Sequence, residues 1–312
     1  MREIVETKNV ATAKNAVRNT LNKKGMLAIV GDIGIGKTTM YNILKSFWET
    51  YPHKFSVVEM KCFKSRYSRI SPIMKSILRA IDPSQKIPVT TEEKYFLLRD
   101  ELKKSKKNII LVADEAQDLN LQTFKDIKKI HEIFGEEEHL FSFVCFGKHD
   151  TKWTDVFSTP ELGSRMQLVE LGRCSKEELS LIAKKTFKLK FQSDRILERF
   201  ITFLPNKTPL DIQDAANIIR YNKAVPESQT VEITQDIMIN LPAMLIKYRN
   251  KKSGVTQAKI AEAMSKELGR HFSRQTVARI LSDPDSPLHE KANEINQRML
   301  NGFYKPQAIK DA

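Results

Sequence analysis

Apolar residues follow two periods along this chain. Short continuous runs at Met26–Val30, Phe55–Met60, Asn108–Ala113, Leu140–Phe146 and Met166–Leu171 have the length and content of buried strands. Before and between them, residues 8–24, Lys37 to about Trp48, 70–81, 91–105 and 121–134 carry apolar positions three or four apart, which predicts amphipathic helices. Strands alternating with helices predict βαβ units, hence a parallel sheet with helices on both faces. After residue 175 the strand runs stop. Segments 175–187, 193–203, 208–223 and 233–248 all read as helices, punctuated by Pro205, Pro209, Pro226 and Pro242. Lys247–Gly254 reads as a basic loop-like linker, 255–282 as another helical module, and 288–301 as a helical piece within a polar tail. The expected organisation is an α/β domain over 1–174, a helical unit over 175–248 and a small all-helical module with a tail over 249–312.

The turn after the first strand carries chemistry. Gly31-Asp32-Ile33-Gly34-Ile35-Gly36-Lys37-Thr38 fits G-x-x-x-x-G-K-[ST] in full, between a strand and a helix as the motif requires. Glycines let backbone N–H groups curl around phosphate oxygens, and the following helix presents its positive end to the same anion. Lys37 is expected to reach the β- and γ-phosphates of ATP and Thr38 to ligate Mg²⁺, with Thr39 beside it. The third strand ends in Asp114-Glu115. Asp114 is the expected second Mg²⁺ ligand, and Glu115 the group that orients or deprotonates the attacking water. The pair argues for hydrolysis, so the chain reads as a P-loop ATP hydrolase, slow or partner-stimulated. The fourth strand ends at Gly147-Lys148-His149; Lys148 or His149 is either a γ-phosphate sensor or part of a solvated turn. Arg165, before the fifth strand, is either an arginine finger for a neighbouring subunit or a surface ion pair, with Arg173 as the second candidate.

Composition sharpens the choice of partner. The 312 residues include 52 Lys and Arg against 38 Asp and Glu, a net charge of +14, which points to a polyanion. Lys247, Arg249, Lys251, Lys252, Lys259, Lys266, Arg270, Arg274 and Arg279 face only Glu262 and Glu267 between residues 247 and 281, so half of that charge sits in about a tenth of the chain. The same stretch has a helix-turn-helix cadence: a helix with Thr256 as N-cap, a turn containing Gly269, then Ser273 capping a second helix. Val277, Ile280 and Leu281 are expected inside. Arg274, Gln275, Thr276 and Arg279 are expected outside, against DNA or, on the other reading, as the solvated face of a protein-docking module. Lys61, Lys64, Arg66 and Arg69, and Lys125, Lys128 and Lys129, form two more basic patches, either for DNA phosphates or solvated. Cys62, Cys145 and Cys174 are far apart and form neither a disulfide framework nor a zinc spacing. Nothing resembles a signal peptide or membrane span, so a cytoplasmic protein with no membrane partner is expected.

GDIGIGKTT, IILVADEAQDL, FVCFGKHD and GSRMQLVEL together resemble the AAA+ ATPases of DNA transposition, the group of phage Mu transposition protein B and the TnsC-type regulators, over roughly residues 8–248. The resemblance implies an AAA+ fold with residues 175–248 as the lid. It also implies assembly as a filament or ring on double-stranded DNA, target selection, and activation of a transposase partner. The pattern is shared with ExeA-type secretion ATPases and with Orc/Cdc6-type origin proteins, so a replication or plasmid-maintenance initiator and a secretion-type ATPase are the alternatives, beside a DNA clamp that scarcely hydrolyses. Two positions depart from the pattern: Lys148 stands where Asn or Thr is usual, and Asp211 falls where the lid arginine is usual.

Overall fold

The computed structural model describes residues 3–60, 70–133, 139–204, 206–253, 257–282 and 286–300. The chain divides into two units, one comprising Glu6–Glu178 with Thr208–Leu210 and the other the described remainder.

The first unit runs α1 (Lys8–Lys23), β1 (Met26–Gly31), α2 (Lys37–Thr50), β2 (Phe55–Met60), α3 (Ile70–Ile81), α4 (Thr91–Lys104), β3 (Asn108–Ala113), α5 (Leu121–His131), β4 (Phe141–Lys148), α6 (Lys152–Ser158), α7 (Pro160–Gly163) and β5 (Met166–Leu171). The strands form one sheet in the order β2-β3-β4-β1-β5, and every pairing is parallel. Alternate residues of each inner strand point to opposite faces. Met26, Ala28 and Val30 of β1, Ile109 and Leu111 of β3, and Phe141 and Phe143 of β4 enter one core with Ile73, Leu98, Phe124 and Trp153 from the helices. Their neighbours Leu27, Ile29, Ile110, Val144 and Phe146 are also buried, on the other face, where Tyr41 of α2 meets the Phe146 ring. Burial on both faces is why these strands read as unbroken apolar runs. Side chains of Thr7, Thr90 and Asn120 cap α1, α4 and α5, accepting from Val10 N, Glu93 N and Thr123 N.

The second unit takes up the chain within α8 (Lys176–Leu181). A π turn over Ile182–Thr186 follows, then β6 (Leu189–Phe191), α9 (Asp194–Phe203), α10 (Pro209–Lys223), β7 (Val231–Ile233), α11 (Gln235–Ser253), α12 (Gln257–Leu268), α13 (Arg274–Ser282) and α14 (His289–Leu300). This unit departs from the expected organisation in three places. The region expected to be all-helical contains a small parallel sheet of β6 and β7, whose three-residue strands are too short for a period to register. The expected helix over 175–187 is interrupted by the π turn. The expected loop from Lys247 is helical through Ser253, because Lys and Arg are good helix formers and basic composition alone does not end a helix. Gly254 and the expected cap Thr256 lie outside the described residues. Helices α12 to α14 surround their own core of Ile260, Met264, Phe272, Val277, Ile280 and Ile295. Among the described residues no helix is long and apolar enough to cross a membrane.

Candidate nucleotide-binding site

The phosphate turn hangs from the end of β1, where Gly31 pairs with Lys148 on one side and Leu171 on the other. Gly34 and Gly36 have φ of +84° and +105°, conformations that residues with a Cβ rarely adopt. Ile35 is buried, so its side chain anchors the turn in the core while its backbone stays in the loop. Gly36 caps α2, and the first amides of that helix have no partner within it, which makes the turn a natural anion cradle. Asp32, Ile33, Thr38 and Thr39 are exposed around it. Lys37 Nζ crosses the turn and donates to Gly31 O at 2.8 Å and Asp32 O at 2.9 Å. The segment Thr208–Leu210 seals one side: Leu210 N donates to Gly34 O at 3.3 Å, and a Cβ on Gly34 would lie 2.8 Å from Leu210 Cβ.

Burial lowers the Lys37 pKa, while the charges of Glu115, Asp114 and Asp32 raise it and that of Lys148 lowers it further. The five groups therefore converge. Sheet order explains this: β4 lies between β1 and β3, so its end at Lys148 sits between the P-loop and the acidic pair, at the carboxyl ends of parallel strands where such folds bind ligands. Asp114 is half-buried. Burial raises its pKa, the hydrogen bond from Glu115 N (2.9 Å to Oδ1) lowers it, the Glu115 charge raises it and Lys37 lowers it. Glu115 has φ 55° and ψ 41°, a left-handed conformation costing roughly 1–2 kcal/mol for a residue with a side chain. It opens a 3-10 turn, Ala116–Asp118. From that turn Gln117 Nε2 donates to Glu115 Oε2 at 2.6 Å, and Gln117 Oε1 accepts from Lys148 N at 2.9 Å. The sequence motif gave no reason to single out Gln117; the one available signal was its place two residues after Glu115.

Other expected site residues are not part of this cluster. Arg165 precedes β5, and since Met26 pairs with Met166 and Gly31 with Leu171, it stands at the opposite end of the strands from the P-loop. Five residues of strand separate the two, about 17 Å. Arg165 Nε instead meets Glu132 Oε1 at 2.9 Å. Arg173 follows β5 at the P-loop end of the strands and is exposed. His149 is exposed, with Nε2 3.7 Å from Glu170 Oε1. Lys125 and Lys128 are ion-paired with Glu161 (4.0 Å) and Glu132 (2.6 Å); Lys129 is exposed. Lys61, Lys64, Arg66 and Arg69 lie outside the described residues. Asp211 is 1% exposed and its Oδ2 accepts from Asn206 N at 2.9 Å, a local structural task at the start of α10.

In the C-terminal module, Ser273 caps α13 by accepting from Thr276 N at 3.1 Å. Val277, Ile280 and Leu281 are buried; Arg274, Gln275 and Arg279 are exposed, and Thr276 is partly so. Gly269 (φ +64°) turns the chain after α12, and Phe272 fixes the turn by entering the core while its N–H donates to Ser265 Oγ at 2.8 Å.

Residues 19–152 match the family model described as AAA domain. No curated protein matches the chain. Among solved structures, the Aeropyrum pernix ORC1 protein in complex with DNA is similar with a TM-score of 0.53 at 15% identity, covering 95% of this chain and 84% of that one. Cdc6p from Pyrobaculum aerophilum gives a TM-score of 0.48 at 16% identity, covering 96% and 94%. A RuvB variant from Thermotoga maritima gives 0.48 at 16%, covering 99% and 94%. At 15% identity the likeness to the ORC1 protein is one of fold. The parallel sheet, its P-loop and the AAA match make this an AAA+ P-loop NTPase fold followed by a helical C-terminal region.

Proposed function

We propose that this AAA+ P-loop NTPase is an ATP hydrolase that assembles on double-stranded DNA when ATP is bound and regulates transposition through target selection and transposase activation. The observation that carries the nucleotide part is the convergence of Lys37, Asp114, Glu115 and Lys148 at the strand ends. Lys37 and the amides of residues 31–39 would bind the phosphates. The Thr38 hydroxyl and the Asp114 carboxylate are a donor set suited to Mg²⁺, which prefers one or two protein oxygens beside phosphate; when bound it would neutralise charge on the β- and γ-phosphates. Glu115 would orient the attacking water and accept its proton, and Lys148 would face the γ-phosphate. Arg165, at the far end of the strands from its own P-loop, would act on a neighbouring subunit's nucleotide. Asp211 cannot supply the cation that a lid arginine would, so turnover is slow or depends on assembly.

The DNA part is supported by α13, which presents Arg274, Gln275 and Arg279 to solvent on a helix whose other side is core. The transposition part rests on the motif set GDIGIGKTT, DEAQDL, FVCFGKHD and GSRMQLVEL. Binding to a random-sequence duplex at fixed salt, with ATP, with ADP and without nucleotide, tests the scheme. Tight cooperative binding with ATP alone supports it; binding that ignores nucleotide removes its mechanism. Selection of one tight binding sequence would favour an initiator instead, a reading that the fold likeness to an ORC1 protein in complex with DNA keeps in view.

A further inference from the structure

We infer that Gln117 is a positioning residue that ties the Glu115 carboxylate to the tip of β4. The inference deepens the hydrolase reading above and rests on it.

The orientation of the Gln117 amide follows from chemistry. A carboxylate only accepts hydrogen bonds and a backbone N–H only donates them, so Nε2 must face Glu115 and Oε1 must face Lys148 N. A single side chain thus joins two segments 31 residues apart. Its own main chain is anchored as well, since Gln117 O accepts from Lys152 Nζ at 2.6 Å. The β4 tip is also held by Trp153, whose Nε1 donates to Lys148 O at 2.8 Å. Gly147 leaves room for that ring: a Cβ there would stand 2.3 Å from Trp153 Cζ2. Lys148 is therefore fixed at its N–H by Gln117 and at its C=O by Trp153.

The other bonds of the turn, from Glu115 N to the Asp114 side-chain Oδ1 and from Asp118 N to Glu115 O, hold its main chain but do not touch the Glu115 carboxylate. Glu115 is exposed, and an exposed glutamate samples several rotamers. The bond from Gln117 selects one of them. A displacement of the β4 tip, where Lys148 would meet the γ-phosphate, is passed to the carboxylate through one amide.

Three variants test this. Gln117→Met keeps the length and removes both hydrogen bonds. Gln117→Glu keeps an acceptor for Lys148 N but sets a second carboxylate against Glu115. Glu115→Gln removes the group on which Gln117 acts. Gln117→Met should lower kcat on the order of 10²-fold, as small misplacements of reacting groups do, with ATP affinity within about threefold of wild type. Gln117→Glu, which keeps the length and an acceptor for Lys148 N but loses the donor to Glu115, should lower kcat to a similar extent, again with ATP affinity within about threefold of wild type. On a Glu115→Gln background, Gln117→Met should change the residual rate by less than about threefold, since the two act as a unit. Wild-type turnover with an unaffected kcat in Gln117→Met or Gln117→Glu, or full additivity with Glu115→Gln, overturns the inference alone. A wild-type chain that hydrolyses no ATP, with duplex or without, overturns the hydrolase reading and this inference with it.

Discussion

Arg165 Nε lies 2.9 Å from Glu132 Oε1, and Lys128 Nζ lies 2.6 Å from the other oxygen of the same carboxylate. Burial alone would raise the Glu132 pKa, but the hydrogen bonds and charges of Lys128 and Arg165 outweigh it and hold the pKa below the usual carboxylate value. The bridge keeps the guanidinium at the end of the strands remote from its own P-loop. If Arg165 serves a neighbouring subunit, Arg165→Ala should lower turnover of the assembly about 10³-fold or more and leave ATP binding by single subunits unchanged. Mixing Arg165→Ala with Lys37→Ala, each inactive alone, should restore part of the rate, because some interfaces then pair an intact P-loop with an intact arginine. Mixtures that stay inactive would assign Arg165 to the ion pair alone.

His131 links distant parts of the first unit. It is 3% exposed, its Nε2 donates to Lys24 O at 2.6 Å, and its ring stacks on His139 at 4.1 Å. Burial drives its pKa down to about 4, the neighbouring His139 adds to this, and the bond to Lys24 O opposes it. The unfolded chain therefore takes up a proton near pH 6.5 that the folded chain refuses until about pH 4. Its contribution is complete above about pH 6.5 and is lost as pH falls toward 4, by an amount on the order of 3 kcal/mol. Denaturant melts across this range should show wild type losing stability more steeply than His131→Gln, which keeps a donor for Lys24 O but does not titrate. Parallel curves would refute the assignment.

Gly34 and Gly36 share a left-handed backbone yet differ in surroundings. A Cβ on Gly34 would meet Leu210 Cβ at 2.8 Å and Thr208 Oγ1 at 3.0 Å; one on Gly36 would meet nothing within 4 Å. Gly36→Ala should cost only backbone strain, about 1–2 kcal/mol. Gly34→Ala adds a clash of about 1–3 kcal/mol and forces the Thr208–Leu210 segment away. Melting curves should rank Gly34→Ala below Gly36→Ala. Equal losses would mean that the segment yields freely and does not brace the P-loop.

The five-stranded core and the turn Gly31–Thr38 were legible because each depends on contiguous sequence. A strand buried on both faces is a continuous apolar run, and a P-loop is eight consecutive residues. What escaped depends on contacts between distant segments or on very short elements. Gln117 gains its meaning only when β4 is inserted between β1 and β3. The Arg165–Glu132 bridge spans 33 residues, and the bond from His131 to Lys24 spans 107. The left-handed φ of Glu115 has no signature in a glutamate. The strands β6 and β7 offer a single alternation each, Leu189-Lys190 and Val231-Glu232-Ile233, too little to outweigh the helices around them.

Helix α13 is where the choice between DNA reader and protein-docking module can be decided. Arg274 and Arg279 are five residues apart, so they sit at either end of its exposed face, with Gln275 beside the first. Each arginine that neutralises a phosphate releases counterions and steepens the salt dependence of binding by about 0.9 per contact. Arg274→Ala with Arg279→Ala should therefore flatten the plot of log affinity against log salt by roughly 2 if both touch phosphates. If one of them reads a base edge instead, the slope should fall by about 1, and discrimination between duplex sequences should narrow at one position by about 1–3 kcal/mol. Neither change should alter ATP binding, since the module has its own core. If the double variant binds duplex with unchanged affinity and slope, α13 is a docking face for protein, and the DNA contacts of the chain must come from elsewhere.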